Sequence, residues 1–314
     1  MDYGEILRRA LAISWRHKYM WLLALFAGEG AGLSLPSFQR GPRGRAGSRF
    51  TAPSYDQVTA WAGSHAALLV GAGVAIVALL IVLLLVSAVA NGAVIRAAAE
   101  HDLDRPFGLR PAWRSGLGSF GPVLGVKLVT LGVGLAVLAV IASLAAATFV
   151  SGTRGNVPLA VVTGLTGAFL LLLAIPFGIV FSVVIRFATR AVVLDGKRPF
   201  AALGHGFGLI RRRLGRVALI WVLVIVTGAL GGLAVGLAVV ILALPLAAIT
   251  AATYLAGGIP VAIWVGGLLA IVWVVIATAL AAAVSAFTSV LWTLAYARLD
   301  LDPQPVRAGV PAPA

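Results

Sequence analysis

Long apolar runs alternate along this chain with short basic segments whose own apolar residues recur at helical spacing. The runs occupy 66–95, 121–150, 158–187, 217–250 and 261–295. Each exceeds the roughly 20 residues that a helix needs to cross a hydrocarbon core. A shorter run from Tyr19 to about residue 35 is broken by Gly28-Glu29-Gly30. It predicts a marginal first span of about 17 residues, or alternatively the apolar region of a cleaved signal peptide. None of the runs alternates with period two, which excludes a β-barrel. The pattern predicts an all-α integral membrane protein with six transmembrane helices.

The basic segments repeat. Residues 184–221 read VIRFATRAVVLDGKRPFAALGHGFGLIRRRLGRVALIW, and 94–127 carry the same order of Val-Ile-Arg, an acidic turn and Arg-Pro-Phe. Arg105-Pro106-Phe107 recurs 93 positions later as Arg198-Pro199-Phe200 (198 − 105 = 93). A fixed internal offset is the sequence mark of a repeated structural unit. In the later copy Phe200, Leu203, Phe207, Ile210 and Leu214 fall on one helical stripe, with His205, Arg211, Arg212 and Arg213 around it. Pro199 suits the first helical position, where its missing N–H costs nothing. A helix that is basic on one side and apolar on the other lies in a bilayer interface. Residues 3–16 repeat the device, with Tyr3, Ile6, Ala10 and Ile13 on one face and Arg8, Arg9 and Arg16 as cations. The expected plan is three repeats of an amphipathic interfacial helix plus a helical hairpin, starting near Tyr3, Phe107 and Phe200. Phe107, Trp113, Phe200 and Phe207 are the expected interfacial anchors.

Residues 1–300 are read as one polytopic membrane domain. Within it the Gly-, Ser-, Pro- and Arg-rich segment 36–64 is expected as a flexible external loop, and 301–314 as a disordered cytoplasmic tail. Gly228, Gly232 and Gly236 form a small-xxx-small stripe that predicts a close helix–helix contact. Pro176 and Pro245 are expected to bend their spans, and Gly257-Gly258-Ile259-Pro260 to turn between the last two. Lys127, near the start of its span, is placed to snorkel towards the interface.

Composition agrees with this plan. The 314 residues are 61% hydrophobic and 11% charged, and mean hydropathy is +1.05, which excludes a soluble domain. The net charge of +14 would suggest nucleic acid in a soluble protein. Here the cations sit between spans, so anionic membrane lipid is the expected partner and nucleic acid is not. Nineteen of the 24 Lys and Arg fall on one side, against Arg40, Arg43, Arg45, Arg49 and Arg154 on the other. The positive-inside rule then puts both termini in the cytoplasm of a bacterial inner membrane, the bacterial source being inferred from the Ala, Gly, Val and Arg bias. The absence of Cys removes disulfides and thiolate chemistry.

Catalytic chemistry is not written in the chain. Gly-x-Ser-x-Gly, His-Glu-x-x-His and phosphate-loop patterns are missing, and the four His (17, 65, 101 and 205) have no partner at ligand spacing. His101 with Asp102 and Asp104 reads as a solvated turn in preference to a metal site. No catalytic, cofactor-binding or metal-binding residue is assigned, and no enzyme activity is expected. Glu29 is the one acid near membrane depth, either a functional intramembrane carboxylate or a group facing headgroups. Arg211, Arg212, Arg213 and Arg216 are the candidates for binding anionic lipid headgroups.

The opening YGEILRRALAISWRHKYMWLLALFAG and the element GLIRRRLGRV resemble a broad group of poorly characterised bacterial six-span proteins. These are related to the membrane domain of some glycerophosphoryl diester phosphodiesterases. The resemblance implies a membrane module, with catalysis in a separate soluble domain for which this chain has no room. The expected role is a non-enzymatic inner-membrane protein that organises anionic lipid or partner proteins. Glu29, the two prolines and the repetition motivate the alternative of a small transporter or channel.

Overall fold

A computed structural model describes residues 3–28 and 55–301. Glu29, most of the loop 36–64 with its arginines at 40, 43, 45 and 49, and the tail beyond 301 lie outside the described residues.

The described chain is helical throughout. Its order is α1 (Tyr3–Arg16), α2 (Tyr19–Ala27), α3 (Tyr55–Ser64), α4 (Ala66–Asp102), α5 (Leu109–Gly118), α6 (Phe120–Thr153), α7 (Val157–Asp195), α8 (Pro199–Arg212) and α9 (Leu214–Leu301). Four of these, α4, α6, α7 and α9, are long and apolar enough to cross a membrane, where six such spans were expected. Two separate causes account for the difference. The helix of the first span stops after nine residues at Ala27, because Gly28 turns left-handed (φ 72°). Nine residues rise only about 14 Å, short of the ~30 Å hydrocarbon core. The last two spans are limbs of the single 88-residue α9, which breaks at Gly258 (φ 72°, ψ −169°). The limbs fold back on each other: the Trp273 indole donates to the Val239 carbonyl at 3.1 Å. The chain stays helical through Pro176 and Pro245. Residues 55–64, expected as part of a flexible loop, form α3.

Local chemistry sets the helix ends. Asn156 caps α7 by accepting from the Leu159 amide at 3.3 Å, and Pro199 opens α8 from its first turn. The exit of α4 closes with Asp104 in the left-handed region (φ 55°), the Asp104 amide donating to His101 and the Arg105 amide to Glu100. This double bond satisfies carbonyls that a helix end otherwise leaves open. Gly196 (φ 67°) takes the corresponding position after α7.

The packed core sits at one end of the bundle. One cluster joins α1, α2 and α5 to the exits of α4 and α9; the other joins α8 and the start of α6 to the exits of α7 and α9. The opposite halves pair as hairpins, α6 with α7 and the two limbs of α9 with each other, and leave most of their outer surface bare. The most apolar 18-residue windows of α4, α6 and α9 bury nothing within the protein, and that of α7 buries 11%. So much exposed hydrocarbon needs an apolar medium around it.

Each short arm lies against the exit of a long helix: α5 on α4, α8 on α7, and α1 on α9. The first arm thereby closes the ring formed by the other two. All three use one device, a buried Ala followed four residues later by a second small buried residue: Ala10/Ser14, Ala112/Gly116 and Ala202/Gly206. A Cβ on Gly116 would stand 2.3 Å from the Val89 carbonyl oxygen, and one on Gly206 2.9 Å from that of Val184. Only glycine allows backbones this close.

The predicted glycine stripe in α9 does not make such a contact. Gly228, Gly232 and Gly236 have open space where a Cβ would point, while Gly231 packs on Val284 (3.1 Å from its Cγ1 to a built Cβ). The contact face runs one step round the helix from the sequence pattern, because the turn at Gly258 sets how the second limb lies against the first.

Candidate functional site

The arms are the first candidate. On α8 the protein-facing surface is Ala202, Gly206 and Leu209, and the predicted stripe is turned outward. Phe200 and Phe207 are exposed, with Leu214 beyond them, while Leu203 and Ile210 are half-buried. Arg211, Arg212 and Arg216 are exposed and Arg213 is half-buried. On α5, Leu109, Trp113 and Leu117 form an outward apolar row beside the exposed Arg110 and Arg114. On α1, Leu11 and Trp15 project outward beside Arg8 and Arg16. The pattern is common to α5 and α8: mainly small residues meet protein, whereas most bulky apolar residues and guanidinium groups point away; α1 differs in burying Ile6 and Ile13 and in turning Arg9 towards Asp102. Phe107 also departs from the pattern. It is half-buried against the core, and its carbonyl accepts from the Tyr19 hydroxyl at 3.0 Å.

The exit of α4 corrects the expectation of a solvated turn. Asp104 and Arg105 are exposed, but His101 is buried, its ring stacked on His17 with centroids 3.6 Å apart. The two histidines are 84 positions apart (101 − 17 = 84), so linear spacing could not pair them. The Tyr19 hydroxyl lies 2.7 Å from His101 Nε2. Arg9 donates to Asp102 at 2.7 Å and to Asp104 at 3.0 Å, and these two carboxylates raise its pKa above the ordinary arginine value. Arg298, from the last turns of α9, stands 3.6 Å from Asp102. Arg96 and Arg105 flank Glu100 at 3.0 and 3.4 Å. Among the described residues no three His, Asp or Glu side chains converge as a metal ion would require.

The α7–α9 contact holds polar residues that sequence reasoning treated as topology signals alone. Arg190 is fully buried and donates to the carbonyls of Arg186 (2.8 Å) and Ser289 (3.3 Å). The Arg186 guanidinium lies 5.3 Å from the Trp292 ring centre, an attractive cation–π placement. Tyr296 donates to Asp195 at 2.6 Å, and Lys197 pairs with the same carboxylate at 3.0 Å. The four-residue spacing of Arg186 and Arg190 was the one available signal, since it puts both on one helix face.

Lys127 does not snorkel. Its ammonium donates to Ser87 Oγ at 2.6 Å and lies 3.5 Å from the Ala27 carbonyl, at the negative end of α2.

Four long apolar helices with basic arms gathered at one end fit a multi-pass membrane protein. Residues 12–299 match a family of unknown function, DUF7544, and the chain belongs to that family. The match carries no link to the phosphodiesterase membrane domain. No curated protein and no solved structure matches the chain.

Proposed function

We propose that this chain is a non-catalytic protein of the bacterial cytoplasmic membrane that gathers anionic lipid beneath its basic arms. In this reading the arms and both termini face the cytoplasm, and six crossings are completed by the two limbs of α9 and the segment entered through α2. The observation that carries the reading is the division of labour within the arms. α5 and α8 turn mainly small residues to the protein and leave aromatic residues and arginines outward, as in α8 with Phe200, Phe207, Arg211 and Arg212, and α1 likewise leaves Trp15, Arg8 and Arg16 outward. Aromatic side chains favour the headgroup level, and guanidinium groups there attract anionic phosphate.

The test is the phospholipid retained after purification in mild detergent, measured by mass spectrometry. Each cation near an anionic leaflet contributes on the order of 1 kcal/mol, so Arg211→Gln with Arg212→Gln should weaken retention of phosphatidylglycerol or cardiolipin by roughly thirtyfold. Retention equal to the parent protein would reduce these arginines to topology signals.

A further inference from the structure

A cleft of about 680 Å³ opens where the end of α1, the exit of α4 and the start of α5 meet, away from Arg211 and Arg212. Its lining includes Arg16, His17, His101, Asp104, Arg105 and Gly108. The charges around it are unequal. The carboxylates Glu100, Asp102 and Asp104 are matched by Arg9, Arg96, Arg105 and Arg298, and Arg16 adds a further cation. On the lining itself Arg16 and Arg105 stand against Asp104, which leaves one positive charge over.

The His17 tautomer follows from its partner. His17 Nδ1 lies 3.1 Å from the Ile13 carbonyl, so that nitrogen carries the hydrogen. In the neutral ring Nε2 then holds a lone pair, and among the described residues nothing bonds to it. The Tyr19 hydroxyl bridges the Phe107 carbonyl (3.0 Å) and His101 Nε2 (2.7 Å), and so holds the His101 ring whichever of its nitrogens carries the hydrogen. His101 is therefore a fixed platform, with His17 stacked on it at 14° between planes. Gly108 precedes α5 in extended conformation and offers no side-chain acceptor to that helix's first amides.

We propose that this cleft binds a tetrahedral oxyanion, of phosphate or sulfate type, together with one proton taken up from solvent at His17 Nε2. Arg16 and Arg105 supply charge, the protonated Nε2–H supplies a directed donor, and the first amides of α5 add partial positive charge. The oxyanion is either a soluble phosphate or the phosphate of an anionic lipid headgroup; the chemistry is common to both. Histidine is the side chain whose charge changes between about pH 5 and 8, so proton uptake gives binding a pH signature.

The experiment is calorimetric titration of the full chain in detergent with sodium sulfate, against sodium chloride at equal ionic strength. Sulfate keeps its charge across this pH range, so any pH dependence belongs to the protein. Binding should be at least about fivefold tighter at pH 6 than at pH 8. His17→Gln should remove that pH dependence, Arg16→Gln should weaken binding several-fold at both pH values, and the Arg211/Arg212 double variant should bind sulfate as the parent does. Both test positions lie at the rim, so the fold should survive, as a thermal melt would verify. Repeating the titration in phosphatidylcholine nanodiscs with and without phosphatidylglycerol separates the sources. Loss of sulfate binding with phosphatidylglycerol assigns the site to a headgroup, and unchanged affinity assigns it to a soluble phosphate. No preference for sulfate over chloride at either pH, or a His17→Gln variant with the parent's pH dependence, overturns the proposal.

Discussion

Arg9 and Asp102 stand 93 positions apart and meet at 2.7 Å, which ties the first arm to the exit of α4. Arg298 approaches the same carboxylate from the last helix at 3.6 Å. One acid thus joins both ends of the described chain to its middle, and closes a ring in which each arm leans on the exit of a different long helix.

That link should be measurable as coupling. Arg9 is about one-third exposed and Asp102 is 13% exposed, so solvent screens the pair and its net contribution is roughly 0.5–1 kcal/mol. Arg9→Ala and Asp102→Ala should each lower thermal stability in detergent, and the double variant should lose less than the sum of the two. The coupling should shrink in high salt, since partly exposed charges are screened. Strict additivity at low salt would show that the arm is held by Ile6, Ala10 and Ile13 alone.

The glycine contacts predict a contrast between two similar substitutions. A Cβ at Gly116 would meet the Val89 carbonyl at 2.3 Å, and backbone cannot move aside as a flexible side chain can. Gly116→Ala should therefore destabilise by about 1–3 kcal/mol, the usual range for overpacking. Gly204, in α8, has open space around it, so Gly204→Ala should be neutral or stabilising through helix propensity. Equal melting temperatures for the two variants would mean that α5 does not sit this close to α4.

Much of this arrangement can be read from residue order, and the remainder fails for physical reasons. Apolar run length located the long helices, because a crossing needs a minimum number of apolar residues. The repeat located the arms at 107 and 200, and helical spacing put Ile6, Ala10 and Ile13 on one face of α1, which packs on the protein where the bilayer interface was expected. On α8 Phe200 and Phe207, expected as interfacial anchors, are exposed, and what the spacing did not pick out is the protein-facing surface, Ala202 and Gly206. Hydrophobicity ranks bulky residues highest, but close helix contact in an apolar medium favours small ones. The pairing of His17 with His101 depends on how α1 meets α4, which no local pattern encodes. Gly231 was hidden among neighbouring glycines for the same reason.

Lys127 offers a test of how α2 is held. Its ammonium joins Ser87 of α4 to the last carbonyl of α2, where Gly28 ends the helix. Lys127→Met keeps the apolar stem and removes the donors, so α2 should lose its tie to α6. The expected loss is about 1–2 kcal/mol, in the range for a charge-assisted hydrogen bond that is partly open to solvent. Ser87→Ala should lower stability further in the Lys127→Met background, because the Ser87 hydroxyl also donates to the Ala27 carbonyl at 3.1 Å and is then the remaining polar tie. Unchanged amide-exchange protection across Tyr19–Ala27 in Lys127→Met would show that Met20, Leu23 and Ala24 hold α2 without it.

The orientation of the bundle can be settled by labelling, because the native chain has no Cys. Thr153 and Ala201 are both exposed, and the 39-residue α7 runs between their ends of the molecule. A helix of that length rises by nearly 60 Å, so a membrane around its apolar part puts the two residues on opposite sides. The basic arms gather at the end where Ala201 lies, and an excess of Lys and Arg marks the cytoplasmic side. An impermeant maleimide should therefore label Thr153→Cys in intact cells and Ala201→Cys only after the membrane is opened. Labelling of Ala201→Cys in intact cells, with Thr153→Cys protected, would invert the molecule. Arg211 and Arg212 would then face the outer side, and the proposal that they gather cytoplasmic anionic lipid would fall with the orientation.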